Sequence, residues 1–207
     1  MKMLTVGFDL DMTLVDSADS IVASLVAVVI ERGFQIDEQQ VRDTIGMPFP
    51  LVLPTLVPDA DPDELLAAYR AHYRIHGVPL TKPLPGAHDA IAAIREAGAR
   101  VVVVTAKQGV TAVGALAAAG FEIPTSDVVA EVFAEAKGHA LLGFGAQVYV
   151  GDHPGDITGA KVANAVAVGV PTGPTSAAEL LAAGADVLLY GGLPEFRDWF
   201  TGWRASR

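Results

Sequence analysis

From residue 84 to residue 190 the chain alternates short apolar runs with stretches of helical periodicity, and this alternation leaves few folds open. Residues 100–105 contain four consecutive valines, and residues 128–133, 147–150, 165–170 and 187–190 repeat the theme with Val, Leu and Ala. Strands that are apolar along their whole length belong in a sheet covered on both faces. Between them, residues 88–97, 110–119, 138–144, 155–164 and 177–183 read as helices. Strand–helix repetition of this kind predicts a parallel sheet flanked by helices. One more apolar run, residues 4–8, comes earlier and reads as the first strand.

Residues 15–83 lie between that strand and the alternation, and their pattern is helical. Residues 17–32 predict a helix stopped at Gly33. Asp37 can cap a second short helix with Val41 and Ile45 on one face. Asp61-Pro62 reads as a cap followed by proline in the first turn of a third helix, which runs through Ala68 and Ala71 and stops near Gly77. Pro48, Pro50 and Pro54 predict a stiff irregular passage. The expected architecture is therefore α/β: a doubly wound, Rossmann-like parallel sheet made by residues 1–14 and 84–207, with an α-helical cap inserted at residues 15–83. In such sheets ligands bind beyond the carboxyl ends of the strands.

Charge and composition narrow the partners. Across 207 residues, 14 Lys and Arg against 24 Asp and Glu give a net charge of −10, which argues against nucleic acid or an anionic membrane as partner. Cysteine is absent, so thiol catalysis, disulfides and cysteine-ligated metals are excluded. Residues 1–14 carry Asp9 and Asp11 inside their apolar stretch, unlike a signal peptide. The apolar run at residues 21–30 is shorter than the roughly 18 residues a membrane span needs. A cytoplasmic protein is expected.

The strand ends carry the chemistry. The first ends Phe8-Asp9-Leu10-Asp11-Met12-Thr13, with two carboxylates on one side of an extended chain. Carboxylates at the end of an apolar strand are costly unless paired or bound to a metal. The second ends Val104-Thr105-Ala106, where a hydroxyl and the next backbone N–H can hold a phosphate oxygen. Lys137 opens the helix after the third, a cation beside a helix N-terminus. The fourth ends Gly151-Asp152-His153-Pro154-Gly155-Asp156, adding two more acids. Four carboxylates on one rim call for a divalent cation. An all-oxygen ligand set favours Mg²⁺ over Zn²⁺. A metal and Lys137 could hold a phosphate against an aspartate that attacks phosphorus, which points to phosphoryl transfer.

These motifs, in this order and on these elements, resemble the haloacid-dehalogenase superfamily and within it the phosphoglycolate-phosphatase-like hydrolases. The resemblance spans nearly the whole chain. It implies Asp9 as nucleophile and Mg²⁺ ligand, and Asp11 as general acid and base, lending its backbone carbonyl to the metal. It implies Asp152 as a third metal ligand, Asp156 as its support, and Thr105, Ala106 and Lys137 as phosphate binders. Thr13 would support the first loop. Three positions depart from the family pattern. Met12 stands where glycine is usual, so its side chain would narrow the site. Ala106 stands where asparagine is common, and His153-Pro154-Gly155 is an unusual filling between two acids.

The resemblance also places substrate recognition in the cap. Gly46 and Met47 match the family's specificity loop, and Arg42, Tyr73, Arg74 and Lys82 are further candidates for the rest of the substrate. Apolar Pro48, Phe49 and Leu51 suggest a small, weakly charged leaving group. The expected activity is an Mg²⁺-dependent phosphatase acting on a small phosphorylated metabolite. A β-phosphoglucomutase-like phosphosugar mutase, or a non-hydrolytic phospho-aspartate or phosphate-binding module, are the alternatives.

Overall fold

The computed structural model describes residues 3–206; Met1, Lys2 and Arg207, at the outer ends of the expected core segments, lie outside the described residues. The strands in chain order are β1 (Thr5–Phe8), β2 (Val15–Asp16), β3 (Lys82–Pro83), β4 (Arg100–Val104), β5 (Val128–Val129), β6 (Val148–Gly151), β7 (Val166–Gly169) and β8 (Val187–Leu188). Six of them form one sheet in the order β5-β4-β1-β6-β7-β8. Every pair in it is parallel. The chain winds outward from β1 through β4 to β5, then returns to β6 on the other side. The reversal puts the switch point at the carboxyl end of β1, where Asp9 and Asp11 follow.

The helices are α1 (Ala18–Glu31), α2 (Glu38–Asp43), α3 (Phe49–Leu56), α4 (Pro62–His72), α5 (Ala87–Glu96), α6 (Gly109–Ala118), α7 (Glu135–Phe144), α8 (Pro154–Val162), α9 (Ala177–Ala182) and α10 (Phe196–Ala205). Alternate strand residues face opposite layers. Phe8, Val103, Val148 and Val150 pack with Ile91, Ile94, Leu116 and Phe196 from α5, α6 and α10. Tyr149 and Ala167 pack on the other face with Leu141, Ile157, Ala160 and Leu180 from α7, α8 and α9.

The helices between β2 and β3 bury a separate cluster that includes Ile21, Leu25, Val29, Val41, Leu53, Leu65 and Tyr73. Each fully buried leucine there contributes about 2 kcal/mol. The apolar stripe of α1 is thus consumed inside the insert. β2 and β3 pair antiparallel, Val15 with Pro83 and Asp16 with Lys82, so the outgoing and returning chains lie side by side.

Two local expectations are corrected, and the tail gains an element. The Pro48–Pro54 passage is helical: Pro48 caps α3, Pro50 sits in its first turn, where a missing N–H costs nothing, and Pro54 lies inside the helix. Only Val128–Val129 is strand in residues 128–133, because Glu131 turns left-handed at φ 58° and Ala134 at φ 47°. The tail beyond residue 190 forms α10, whose Phe196 and Phe200 are buried against the sheet. The third helix of the insert also ends in an unexpected way. After α4 the chain widens into a π-helical turn at Tyr73–Gly77 and tightens into a 3₁₀ turn at Val78–Leu80.

Candidate active site

The loop after β1 is wound around one carbonyl. Leu10 O accepts from the N–H groups of Leu14 and Val15 at 2.9 and 3.0 Å, and Asp9 N donates to Val150 O at 2.9 Å. This fastens the first acidic loop to β6, whose own end supplies Asp152. Met12 carries the turn at φ 58°. That conformation costs a residue with a side chain about 1–2 kcal/mol, which gives glycine its physical advantage there.

Asp9, Asp152 and Asp156 converge, each offering an oxygen within 4.8 Å of the others, and all three are buried. Lys137, from the first turn of α7, donates to Asp9 Oδ1 at 2.7 Å and to Asp156 Oδ1 at 2.6 Å. Asp156 Oδ2 accepts from His153 N at 3.0 Å and thereby caps α8. Asp152 Oδ1 accepts from Thr13 Oγ1 at 2.6 Å, while its Oδ2 is buried with no hydrogen-bond partner.

Three carboxylates against one ammonium leave a formal charge of −2, buried. Burial pushes the Asp9 carboxyl up to about 7, with Lys137 opposing and the Asp156 charge adding to it. Burial likewise raises Asp152, helped by the charges of Asp156 and Asp9. Burial would lower Lys137, but Asp156 and Asp9 outweigh it and hold the ammonium well above its ordinary value. A divalent cation beside Asp152 Oδ2 would cancel the excess charge and satisfy the orphaned oxygen, so the donor set fits Mg²⁺. Gly173 leaves room for it: a Cβ there would lie 2.0 Å from Asp152 Oδ2.

Asp11 turns away from this cluster. Its Oδ1 accepts from Ser17 Oγ at 2.6 Å and from Lys107 Nζ at 2.9 Å, and Lys107 Nζ lies 3.1 Å from its Oδ2. Asp9, Asp11, Thr105, Ala106 and Lys107 line the floor of a cavity. The insert roofs it with Ile21, Ile45, Gly46, Met47, Phe49, Leu66, Tyr69, Arg70 and Tyr73.

Of the residues expected from sequence, Gly46, Met47 and Tyr73 stand in this wall. Three do not. Arg42 is bound to Asp19 at 2.6 Å on the outside of the insert. Arg74 is exposed, because the π turn aims Tyr73 inward and its neighbour outward. Met12 packs against the insert's apolar cluster instead of narrowing the cavity. Lys82 lies exposed in β3. His153 is half-buried, accepts from Gly155 N at 3.0 Å, and lies close against Gly46 of the insert. Sequence reasoning missed Lys107, Ser17, Arg70 and Gly173. Lys107 and Gly173 both follow strand ends, so the rule that found the other residues also covers them.

Fold and site together define an α/β enzyme with its acids gathered at the sheet's switch point. The sequence profile of the haloacid dehalogenase-like hydrolases matches residues 6–170. The chain is 30% identical to a phosphoglycolate phosphatase of Agrobacterium fabrum, over 81% of this chain and 80% of that one. It is 29% identical to the pyrophosphatase PpaX of Halalkalibacterium halodurans, over 78% and 80%. A haloacid dehalogenase-like hydrolase from Streptococcus pneumoniae superposes with a TM-score of 0.81 at 21% identity, covering 96% of this chain and 99% of that one. The chain belongs to the haloacid dehalogenase-like hydrolase family, and it stands among that family's phosphatases.

Proposed function

We propose that the protein is an Mg²⁺-dependent phosphatase that hydrolyses a small phosphomonoester in the cytoplasm through an aspartyl phosphate on Asp9. The observation that carries this reading is the buried Asp9–Asp152–Asp156 cluster, bridged by Lys137 and opening at Asp9 into the cavity. Asp9, Asp152 and the backbone carbonyl of Asp11 would hold the metal, with Asp156 in support. The cation would supply charge neutralisation at the transferring phosphoryl group.

The chain's own groups then divide the work. An Asp9 oxygen attacks phosphorus in line, and the bond from phosphorus to the ester oxygen breaks. Asp11 gives its proton to the departing oxygen, so the leaving group exits as an alcohol. Asp11 next takes a proton from water, whose oxygen attacks phosphorus. The bond to Asp9 breaks, and inorganic phosphate and a free carboxylate result. Thr105 and the Ala106 N–H would hold phosphate oxygens, and Lys137 would balance their charge. We further propose that residues 15–83 act as a cap on the core formed by residues 1–14 and 84–207, moving on the β2–β3 ribbon to admit substrate and exclude water.

Hydrolysis is favoured over phosphosugar mutation by the cavity roof. Among the described residues, the wall contributed by the insert holds no Asn, Gln or Ser to bind sugar hydroxyls. Phosphate release from p-nitrophenyl phosphate, measured with Mg²⁺, with EDTA and for Asp9→Asn, tests the proposal. Turnover that needs both the metal and Asp9 is expected. Turnover that survives Asp9→Asn overturns it.

A further inference from the structure

Lys107 has no part in the scheme above, yet it is one of the most constrained cations in the molecule. Its side chain is only 6% exposed. Its backbone is held at both ends: its N–H donates to Thr105 Oγ1 at 3.2 Å, and its carbonyl accepts from Glu131 N at 3.1 Å. Its ammonium contacts both oxygens of Asp11 and lies 4.2 Å from the centre of the Tyr73 ring. A lysine that merely solvates a surface meets none of these conditions.

The contacts on Asp11 are unequal. Oδ1 takes two donors, Lys107 and Ser17, whereas Oδ2 takes only the longer contact from Lys107. Ser17 precedes α1 but makes no capping bond with its side chain, having given its hydroxyl to Asp11. Oδ1, with two donors, is therefore the more firmly anchored oxygen, and Oδ2, with the longer Lys107 contact alone, the less constrained one.

We propose that Lys107 is a positioning residue for Asp11, which lines the cavity: with Ser17 it pins Oδ1, leaving the less constrained Oδ2 as the atom that gives and takes the proton. Tyr73 of the insert lies against the Lys107 ammonium by a cation–π contact, which links the pinning of Asp11 to the seated position of the roof. This inference rests on the phosphatase reading and assigns Lys107 to the acid, not to the substrate.

Leaving-group dependence tests it, because a positioned acid matters most when the departing alcohol is a poor leaving group. kcat/KM is measured on p-nitrophenyl phosphate and on propyl phosphate for wild type, Lys107→Met, Lys107→Arg, Ser17→Ala and Asp11→Asn. Lys107→Met is expected to lose about 10- to 100-fold more on the alkyl ester than on the aryl ester, in the direction of Asp11→Asn. Its KM should hold steady, and Lys107→Arg should recover most of the loss. Ser17→Ala, which alters no capping bond, should show a smaller loss of the same selectivity and serves as the reading should Lys107→Met not fold. An equal loss on both esters, a rise in KM alone, or no loss overturns the inference while the phosphatase reading stands. Wild type inert toward both esters with Mg²⁺ overturns the two together.

Discussion

Thr13 donates its hydroxyl to one oxygen of Asp152 at 2.6 Å and leaves the other oxygen of that carboxylate buried without a partner. A half-satisfied buried acid is poorly placed until a cation arrives. Asp152→Asn should therefore raise the thermal stability of the metal-free protein, by about 1–3 kcal/mol. The same variant should lose the increase in Tm that Mg²⁺ gives wild type. Thermal melts with Mg²⁺ and with EDTA check both halves.

The pH dependence of the metal-free protein follows from Asp9. Its carboxyl is raised by burial from 3.8 to about 7, so between those values the folded chain holds a proton that the unfolded chain has released. Stability from this group is complete at low pH and is lost as pH rises through about 7. Mg²⁺ competes with that proton, so its stabilising effect should be larger at about pH 8 than at about pH 5. Melting curves at the two values, with and without Mg²⁺, measure the difference; equal increments would contradict it.

Thr105 is fully buried at the end of β4, and its hydroxyl oxygen accepts from Lys107 N, which leaves the hydroxyl proton free to donate. Thr105→Ala should lower kcat/KM by about 10- to 100-fold, the worth of one hydrogen bond to a charged group. Inorganic phosphate should inhibit this variant less strongly. Inhibition constants for phosphate in the two proteins give the comparison.

Gly173 has no room for a methyl group. An added Cβ would stand 2.0 Å from Asp152 Oδ2 and 3.4 Å from the Met12 Cβ. Gly173→Ala should push the Asp152 carboxylate off its position and weaken Mg²⁺ activation by at least about 10-fold, in line with other changes to groups around metal ligands. Titrating activity against Mg²⁺ concentration reads the shift, and the metal-free fold should remain intact by circular dichroism.

What could be read from sequence was what period and chain punctuation encode. The apolar runs at Val101–Val104 and Val148–Val150 became buried strands, and Asp9, Asp152 and Asp156 came together, while Asp11 turned to Ser17 and Lys107. Three kinds of information were not local. Pro48 and Pro50 suit a helix start as well as a loop, Pro54 sits inside α3, and the burial of Val52, Leu53 and Leu56 goes with the helix. The side on which Tyr73 and Arg74 emerge depends on a π turn that widens the helix by a fraction of a residue. Lys107 resembles any surface lysine until a partner more than ninety positions away, Asp11, is brought beside it.

The β2–β3 ribbon carries a consequence for folding. Leu84 N donates to Leu14 O at 2.9 Å, directly beside the Val15–Pro83 pair, so the chain leaves the sheet and rejoins it at a single point. Topologically the entire insert is one hairpin loop. The entropy of closing such a loop grows only with the logarithm of its length, so β1 and β4 can find each other before the helices between them have settled. The insert and the sheet are then separate apprentices to folding, each maturing its own apolar cluster, and their opening free energies in native-state hydrogen exchange should differ.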